Sequence, residues 1–213
     1  MKSSTKRVHY RDFTFQIPAY VYEPSEDSFL AANNLDVKEN DDVLDMGTGC
    51  GILAIVAAKD ARKVVATDVN PHSVASAKQN AETNNLSRKV DVRKGSLFQP
   101  IRQNEKFNLI IFNAPYLPSE PNEDKSWLGR SWAGGSTGRE LIDRFIQEAS
   151  RYLKRNGRIL LVQSTLTNID ETLERLRERG LYPKIIAEKK VAFEAIVLIQ
   201  ASNLSHKPVR KPR

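Results

Sequence analysis

Asn113, Ala114, Pro115 and Tyr116 end the apolar run F-N-L-I-I-F-N that begins at Phe107. An amide, a peptide carbonyl and a flat phenol in that order suit the grip of a planar NH2 group. The nitrogen of adenine, cytosine or a side-chain amide is a poor nucleophile because its lone pair is delocalised. A catalyst that alkylates it must hold both hydrogens and aim the nitrogen at an electrophilic carbon. The side-chain oxygen of Asn113 can accept one hydrogen and the carbonyl of Ala114 the other. Both acceptors strengthen as the nitrogen turns pyramidal and positive, which favours the transition state over the ground state. Tyr116 offers a flat face to the planar group. Without that chemistry, Pro115 and Pro118 merely stop a strand that Asn113 caps.

A second cluster lies upstream. The stretch V-L-D-M-G-T-G-C-G-I-L-A places Asp45, Gly47, Thr48, Gly49 and Gly51 between a predicted strand and the helix after it. In a doubly wound sheet, ligands bind outside the carboxyl ends of the strands, where the strand order reverses. Glycines let the backbone approach a ligand closely, and Asp45 puts a negative charge there. Asp68, at the end of the next strand, suits a ribose diol. The spacing is G-x-G-x-G with an acid in front, whereas a dinucleotide fingerprint has G-x-G-x-x-G. Carboxylates tolerate a sulfonium and an ammonium but repel a pyrophosphate, so S-adenosylmethionine fits better than a nicotinamide dinucleotide. Ser96 and Leu97, in G-S-L-F after the third core strand, stand where an adenine would lie. Cys50 reads as a small packed residue.

The elements that must position these residues follow from hydrophobic period and punctuation. Predicted core strands are 41–47, 63–69, 89–95, 107–113 and 158–164, followed by two tightly joined strands over 182–191 and 193–200. Helices are predicted over 51–59, from Asn70 as N-cap with Pro71 at the first position, and over 168–180 with Gly180 past the end. Thr137 and Glu140 form a Thr-x-x-Glu capping box for another helix, whose apolar face runs from Leu141 to Leu153 and which Asn156 and Gly157 stop. Residues 13–35 read as a hairpin or extended cover, then a helix near Ser25. Alternating strands and helices with a closing hairpin predict a Rossmann-like α/β fold, a mostly parallel seven-stranded sheet with a final antiparallel strand. The long aperiodic segment after Asn113 carries Trp127, Trp132, Gly134 and Gly135. It is expected either to wall an acceptor site or to pack on the sheet edge.

With 213 residues, residues 1–201 are expected to form a single domain and 202–213 a basic, flexible tail. No apolar run reaches membrane-spanning length and the N-terminus lacks a signal-peptide core, so the expected location is cytoplasmic. The single cysteine excludes an internal disulfide, and His9, His72 and His206 lie far apart, so no metal site is expected. The formal charge of +7 favours anionic company, including weak RNA contact by the tail.

The combination D-M-G-T-G-C-G, T-D-V-N-P and F-N-A-P-Y resembles class I methyltransferases that act on planar NH2 groups, in which the last motif is usually N-P-P-Y. Two further stretches, V-Y-E-P-S-E-D-S-F-L and W-A-G-G-S-T-G-R-E-L-I-D-R-F, resemble the HemK-related glutamine methyltransferases of archaea and eukaryotes. The resemblance runs from about Tyr20 to Gln200. It implies methylation of the glutamine amide in the Gly-Gly-Gln loop of a class-1 translation release factor, with a small zinc-binding activator subunit. Carried over by motif, Ser28, Asp45, Gly47, Asp68, Ser96, Leu97 and Asn113 would touch the cofactor, and Asn113 with Tyr116 the glutamine. Bacterial relatives carry an extra N-terminal helical domain for which this chain has no room. Ser28 stands where the family has threonine, Ser96 where it has aspartate, and Ala114 where it has proline. Ala114 keeps the carbonyl and, preceding Pro115, an extended bias, but it gains an N–H. Two other readings stay open: methylation of an exocyclic amine in DNA or RNA, which in a duplex needs base flipping, and a nonenzymatic adapter that keeps the fold.

Overall fold

The computed structural model describes residues 5–120 and 125–203. Strands β1 (Lys6–Tyr10) and β2 (Phe13–Ile17) form an antiparallel hairpin, followed by helix α1 (Glu26–Asn33). The core then runs β3 (Asp42–Met46), α2 (Ile52–Ala58), β4 (Lys63–Asp68), α3 (Pro71–Thr83), β5 (Val90–Lys94) and β6 (Phe107–Asn113). It continues with α4 (Glu140–Ala149), β7 (Leu153–Ser164), α5 (Ile169–Glu178), β8 (Tyr182–Lys190) and β9 (Ala195–Ser202).

The seven-stranded sheet has the order β5-β4-β3-β6-β7-β9-β8, and only β9 runs against its neighbours. From β3 the chain winds outward through β4 to β5, then returns to lay β6 on the other side of β3. Right-handed crossovers therefore put α2 and α3 on one face and α4 and α5 on the other. The order reverses between β3 and β6, where a crevice opens at the carboxyl ends. These two strands are apolar because helices cover both faces: Val43, Leu44, Leu109, Ile110 and Ile111 are fully buried. The register pairs Asp45 with Ile111 and Met46 with Phe112, so the glycine loop and Asn113 emerge side by side.

Asn70 caps α3 as expected, its side-chain oxygen accepting from the His72 N–H at 2.9 Å. The same helix fastens the N-terminal hairpin. Asn80 and Asn84 each present a side-chain amide to β2, accepting from Gln16 and Thr14 N–H groups and donating to the carbonyls of the same residues. Two amides thus replace a neighbouring strand. The Asn70 amide also donates to the Tyr20 carbonyl at 2.8 Å, drawing the cover segment over the crevice.

Two local expectations are corrected. The helix expected from Thr137 starts at Glu140. Thr137 Oγ1 accepts from the Arg139 N–H in a tight turn, and Glu140 reaches back to the Ser136 N–H. Gly134, Gly135 and Gly138 hold this turn so close that a Cβ on any of them would lie within 2.6 Å of a neighbouring atom. Asn156 and Gly157 do not stop a helix either. Helix α4 ends at Ala149, and these two residues kink β7 where its pairing with β6 slips between Phe107 and Leu109. Asn156 takes φ 64°, a left-handed conformation that asparagine tolerates. Strand β9 continues through Ser202. The basic tail beyond residue 203 and its expected RNA contact lie outside the described residues.

Candidate active site

A cavity of about 290 Å³ opens at the β3–β6 switch, near the size usual for small-molecule sites. Ser28, Gly47, Thr48, Gly49, Asp68, Ser96, Leu97, Asn113, Ala114, Pro115 and Tyr116 all line it. They come from α1, the β3–α2 loop, the end of β4, the turn after β5 and the segment after β6. Trp127 and Trp132 also face the cavity, and the Arg130 guanidinium lies 4.9 Å from the Trp127 ring centre. The segment holding them is tied to the one holding Tyr116: the Leu117 N–H donates to the Trp132 carbonyl and the Gly134 N–H to the Leu117 carbonyl. The tryptophans therefore form a wall of the site.

Two of the expected cofactor residues do not line the cavity. Asp45 is 1% exposed and sits behind the loop. One of its oxygens, Oδ2, accepts from both Thr48 Oγ1 at 2.6 Å and the Ala54 N–H at 2.9 Å, clamping the loop to the start of α2. Burial pushes its carboxyl up to about 7, against the pull of those two hydrogen bonds, and the charge of Asp68 adds to the rise. Gly51 takes φ 89° at the start of α2, and a Cβ there would meet the Ala77 backbone at 3.2 Å. It is glycine so that α2 and α3 can pack.

Asp68 is set for a diol. Its two oxygens accept from the Gly49 and Asn70 N–H groups at 2.9 and 2.8 Å, which fixes the carboxylate at the cavity wall. Burial raises its pKa although those hydrogen bonds and one from Ser73 oppose the shift. Leu97 holds φ 47° beside Ser96, turning the chain into the cavity wall. Burial lifts the Cys50 thiol to about 12, which leaves it an inert packing residue. Among the described residues, no group of three His, Cys, Asp or Glu is placed to hold a metal.

The acceptor end holds a residue that sequence reasoning missed. Asp27, in the first turn of α1, lines the cavity and is 5% exposed. Its carboxylate accepts from Asn113 Nδ2, the Ser28 N–H and the Tyr22 hydroxyl. Burial, reinforced by Asp27, holds the Tyr22 and Tyr116 phenols far above their ordinary pKa, so both remain donors. Asn113 Oδ1, by contrast, is buried without a hydrogen-bond partner among the described residues. Such an acceptor costs about 1–3 kcal/mol until a donor reaches it.

A putative protein N5-glutamine methyltransferase of Methanocaldococcus jannaschii is 42% identical over 186 residues, covering 86% of this chain and 92% of the relative. This chain belongs to the protein N5-glutamine methyltransferase family. It is an N-methyltransferase of the HemK-related group. The human methyltransferase HEMK2 is 29% identical over 84% of this chain and 88% of its own length. The profile of the ribosomal protein L11 methyltransferase (PrmA) family matches residues 28–114, the span from Ser28 to Ala114 that carries the loop and both strand ends. Among solved structures, the E. cuniculi Mtq2–Trm112 complex, described as responsible for methylation of the eRF1 translation termination factor, superposes with a TM-score of 0.64. It is 26% identical and covers 87% of this chain and 99% of that one.

Proposed function

We propose that this enzyme transfers a methyl group from S-adenosylmethionine to the side-chain amide of the glutamine in the Gly-Gly-Gln loop of a class-1 translation release factor. The carrying observation is Asn113 Oδ1, a buried acceptor without a partner among the described residues, beside a chain carbonyl at Ala114 on the wall of a cavity of about 290 Å³. The residues present fit the cofactor. Asp68 sets a carboxylate on the wall where a ribose diol could donate to it, Gly47 and Gly49 hold left-handed φ values that bring backbone to the wall, and Ser96 and Leu97 border the place for an adenine. When bound, S-adenosylmethionine would supply an electrophilic methyl on a sulfonium whose sulfur keeps the bonding pair and leaves as a neutral thioether. Asp45 acts from behind, fixing the loop through Thr48 and Ala54.

The chain's own residues do the rest. Asn113 Oδ1 accepts one amide hydrogen and the Ala114 carbonyl the other, and both bonds tighten as the nitrogen gains positive charge. Tyr116 and the wall of Trp127 and Trp132 confine the planar group and exclude water, so alignment lowers the barrier further. An amide proton then leaves to solvent. Of the three departures, Ser28 keeps the hydroxyl of threonine and Ala114 keeps the chain carbonyl, whereas Ser96 removes the charge of an aspartate beside the place for the adenine. The enzyme works in the cytoplasm as a single catalytic domain over residues 1–201, and its resemblance to the HemK-related enzymes implies a small zinc-binding activator subunit as its partner. No described helix is long and apolar enough to cross a membrane.

The test is to incubate enzyme, activator and methyl-labelled cofactor with release factor or with its Gly-Gly-Gln glutamine→Ala variant. Label is expected only in the former. Equal labelling of both proteins refutes the assigned acceptor, and label entering RNA or DNA offered in a parallel reaction, with none in the release factor, would support the nucleobase reading.

A further inference from the structure

Asn113 uses both of its amide hydrogens inside the protein. Nδ2 donates to Asp27 Oδ2 at 3.1 Å and to Ser28 Oγ at 3.4 Å, and Oδ1 is left without a partner among the described residues. A side-chain amide can turn by 180° about its last bond at almost no steric cost, so something must choose between the two orientations. Here the choice is electrostatic, because the flipped amide would bring Oδ1 against a carboxylate oxygen. We propose that Asp27 is the positioning residue of this active site: it fixes the Asn113 amide with its oxygen free for the acceptor, and so selects an acceptor that donates hydrogens. The inference rests on the assignment of Asn113 as the acceptor-gripping residue.

Asp27 is well held for the task. Its other oxygen, Oδ1, accepts from the Ser28 N–H at 2.6 Å, a backbone donor that α1 fixes in place. The Tyr22 hydroxyl lies 3.3 Å from both oxygens. The Ser28 hydroxyl adds a bond to Oδ1 at 3.2 Å, so among the described residues the carboxylate's hydrogen-bond partners are all donors, and Oδ2 stays turned to Asn113. An acid in the first turn of a helix ordinarily complements the helix dipole. In α1 it also reaches across to the end of β6.

The geometry gives an unusual order of effects. In Asp27→Asn, the remaining oxygen must stay on the Ser28 N–H, so the new NH2 faces the Asn113 NH2. Relief comes from flipping Asn113, which then presents hydrogens to an acceptor that also carries hydrogens. Asp27→Ala removes the constraint and imposes no reversal. The near-isosteric variant is thus expected to be the worse enzyme. For methyl transfer to the release factor by the full chain, we expect kcat to fall about 100-fold or more in Asp27→Asn and about tenfold in Asp27→Ala, with KM moving less. In an Asn113→Ala background, Asp27→Asn should add little further loss. A milder effect for Asn than for Ala, with both variants folded by thermal melt, overturns the proposal, since a merely structural role predicts that order.

A readout without acceptor separates this from failure of the proposed activity. The Asn113 side-chain NH2 signals of the 15N-labelled enzyme, assigned by their loss in Asn113→Ala, should shift strongly in both Asp27 variants. Unchanged signals refute the positioning role whatever the substrate proves to be. If the signals of the Asp27 variants shift as expected yet the wild-type enzyme leaves the release factor unmethylated, the acceptor assignment fails and the positioning role stands.

Discussion

At the amino end of β3, Asp41 meets Arg158 at 3.1 Å, and Asp42 meets Lys154 at 2.6 Å and also Arg62. At the carboxyl end of the same region, Asp27, Asp45 and Asp68 are answered by hydroxyls, backbone N–H groups and an amide. The pKa values of Asp42, Asp45 and Asp68 diverge accordingly. Burial alone would raise Asp42, but hydrogen bonds and charges from Lys154 and Arg62 outweigh it and lower the value. Burial prevails at Asp45, which rises to about 7, and at Asp68. One end of the sheet is electrostatically complete in the free protein. The other holds negative charge that a cationic ligand would neutralise, as expected where perturbed carboxylates gather in a cleft.

The contrast can be broken first at Asp68. Asp68→Ala should weaken cofactor binding about 10–100-fold, from charge-assisted hydrogen bonds of about 1.5–3 kcal/mol, while the melting temperature holds or rises. Calorimetric titration and a thermal melt check this pair of outcomes. Next comes the paired end. Asp42→Ala should lower the unfolding free energy by about 1–3 kcal/mol in denaturant titration, with kcat unchanged. Because its folded pKa is lowered, the stability from Asp42 is present above its ordinary value of 3.8 and disappears as pH falls through the folded value.

The smallest effect has the opposite pH sense. The folded pKa of Asp45 is raised, so its favourable share is complete below 3.8 and is lost as pH climbs through about 7. Asp45→Asn can keep both hydrogen bonds, since they fall on a single oxygen. The ligand-free variant should therefore melt higher than wild type at pH 8, by about 2–4 °C for each kcal/mol recovered, and equally at pH 4. Parallel melting curves for the two proteins from pH 4 to 8 would contradict the buried-charge account.

Much of this frame was legible in the sequence because its signals are local. The strand 107–113 is apolar without interruption from Leu109 to Phe112, Asn70-Pro71 opens a helix, and the glycine loop falls between a strand and its helix. The misread places share a cause. Asn156-Gly157 carries the same turn chemistry whether it ends a helix or kinks a strand, and only the pairing of β7 with β6 decides. Thr137 and Glu140 have the spacing of a capping box, yet close contacts at Gly134, Gly135 and Gly138 moved the helix start. Asp45 looked like a ligand contact because an acid before glycines faces either the ligand or the loop, and spacing does not say which. Asp27 stayed hidden since its partner Asn113 is 86 residues away in the chain.

The central claim concerns Asn113 Oδ1, and one paired measurement bears on it directly: single-turnover methyl transfer and calorimetric cofactor affinity for Asn113→Ala beside wild type. Transfer is expected to fall by about 100-fold or more while cofactor affinity stays within about threefold. Equal losses in both would show that Asn113 serves the cofactor alone, and the account of how the acceptor nitrogen is held would be wrong.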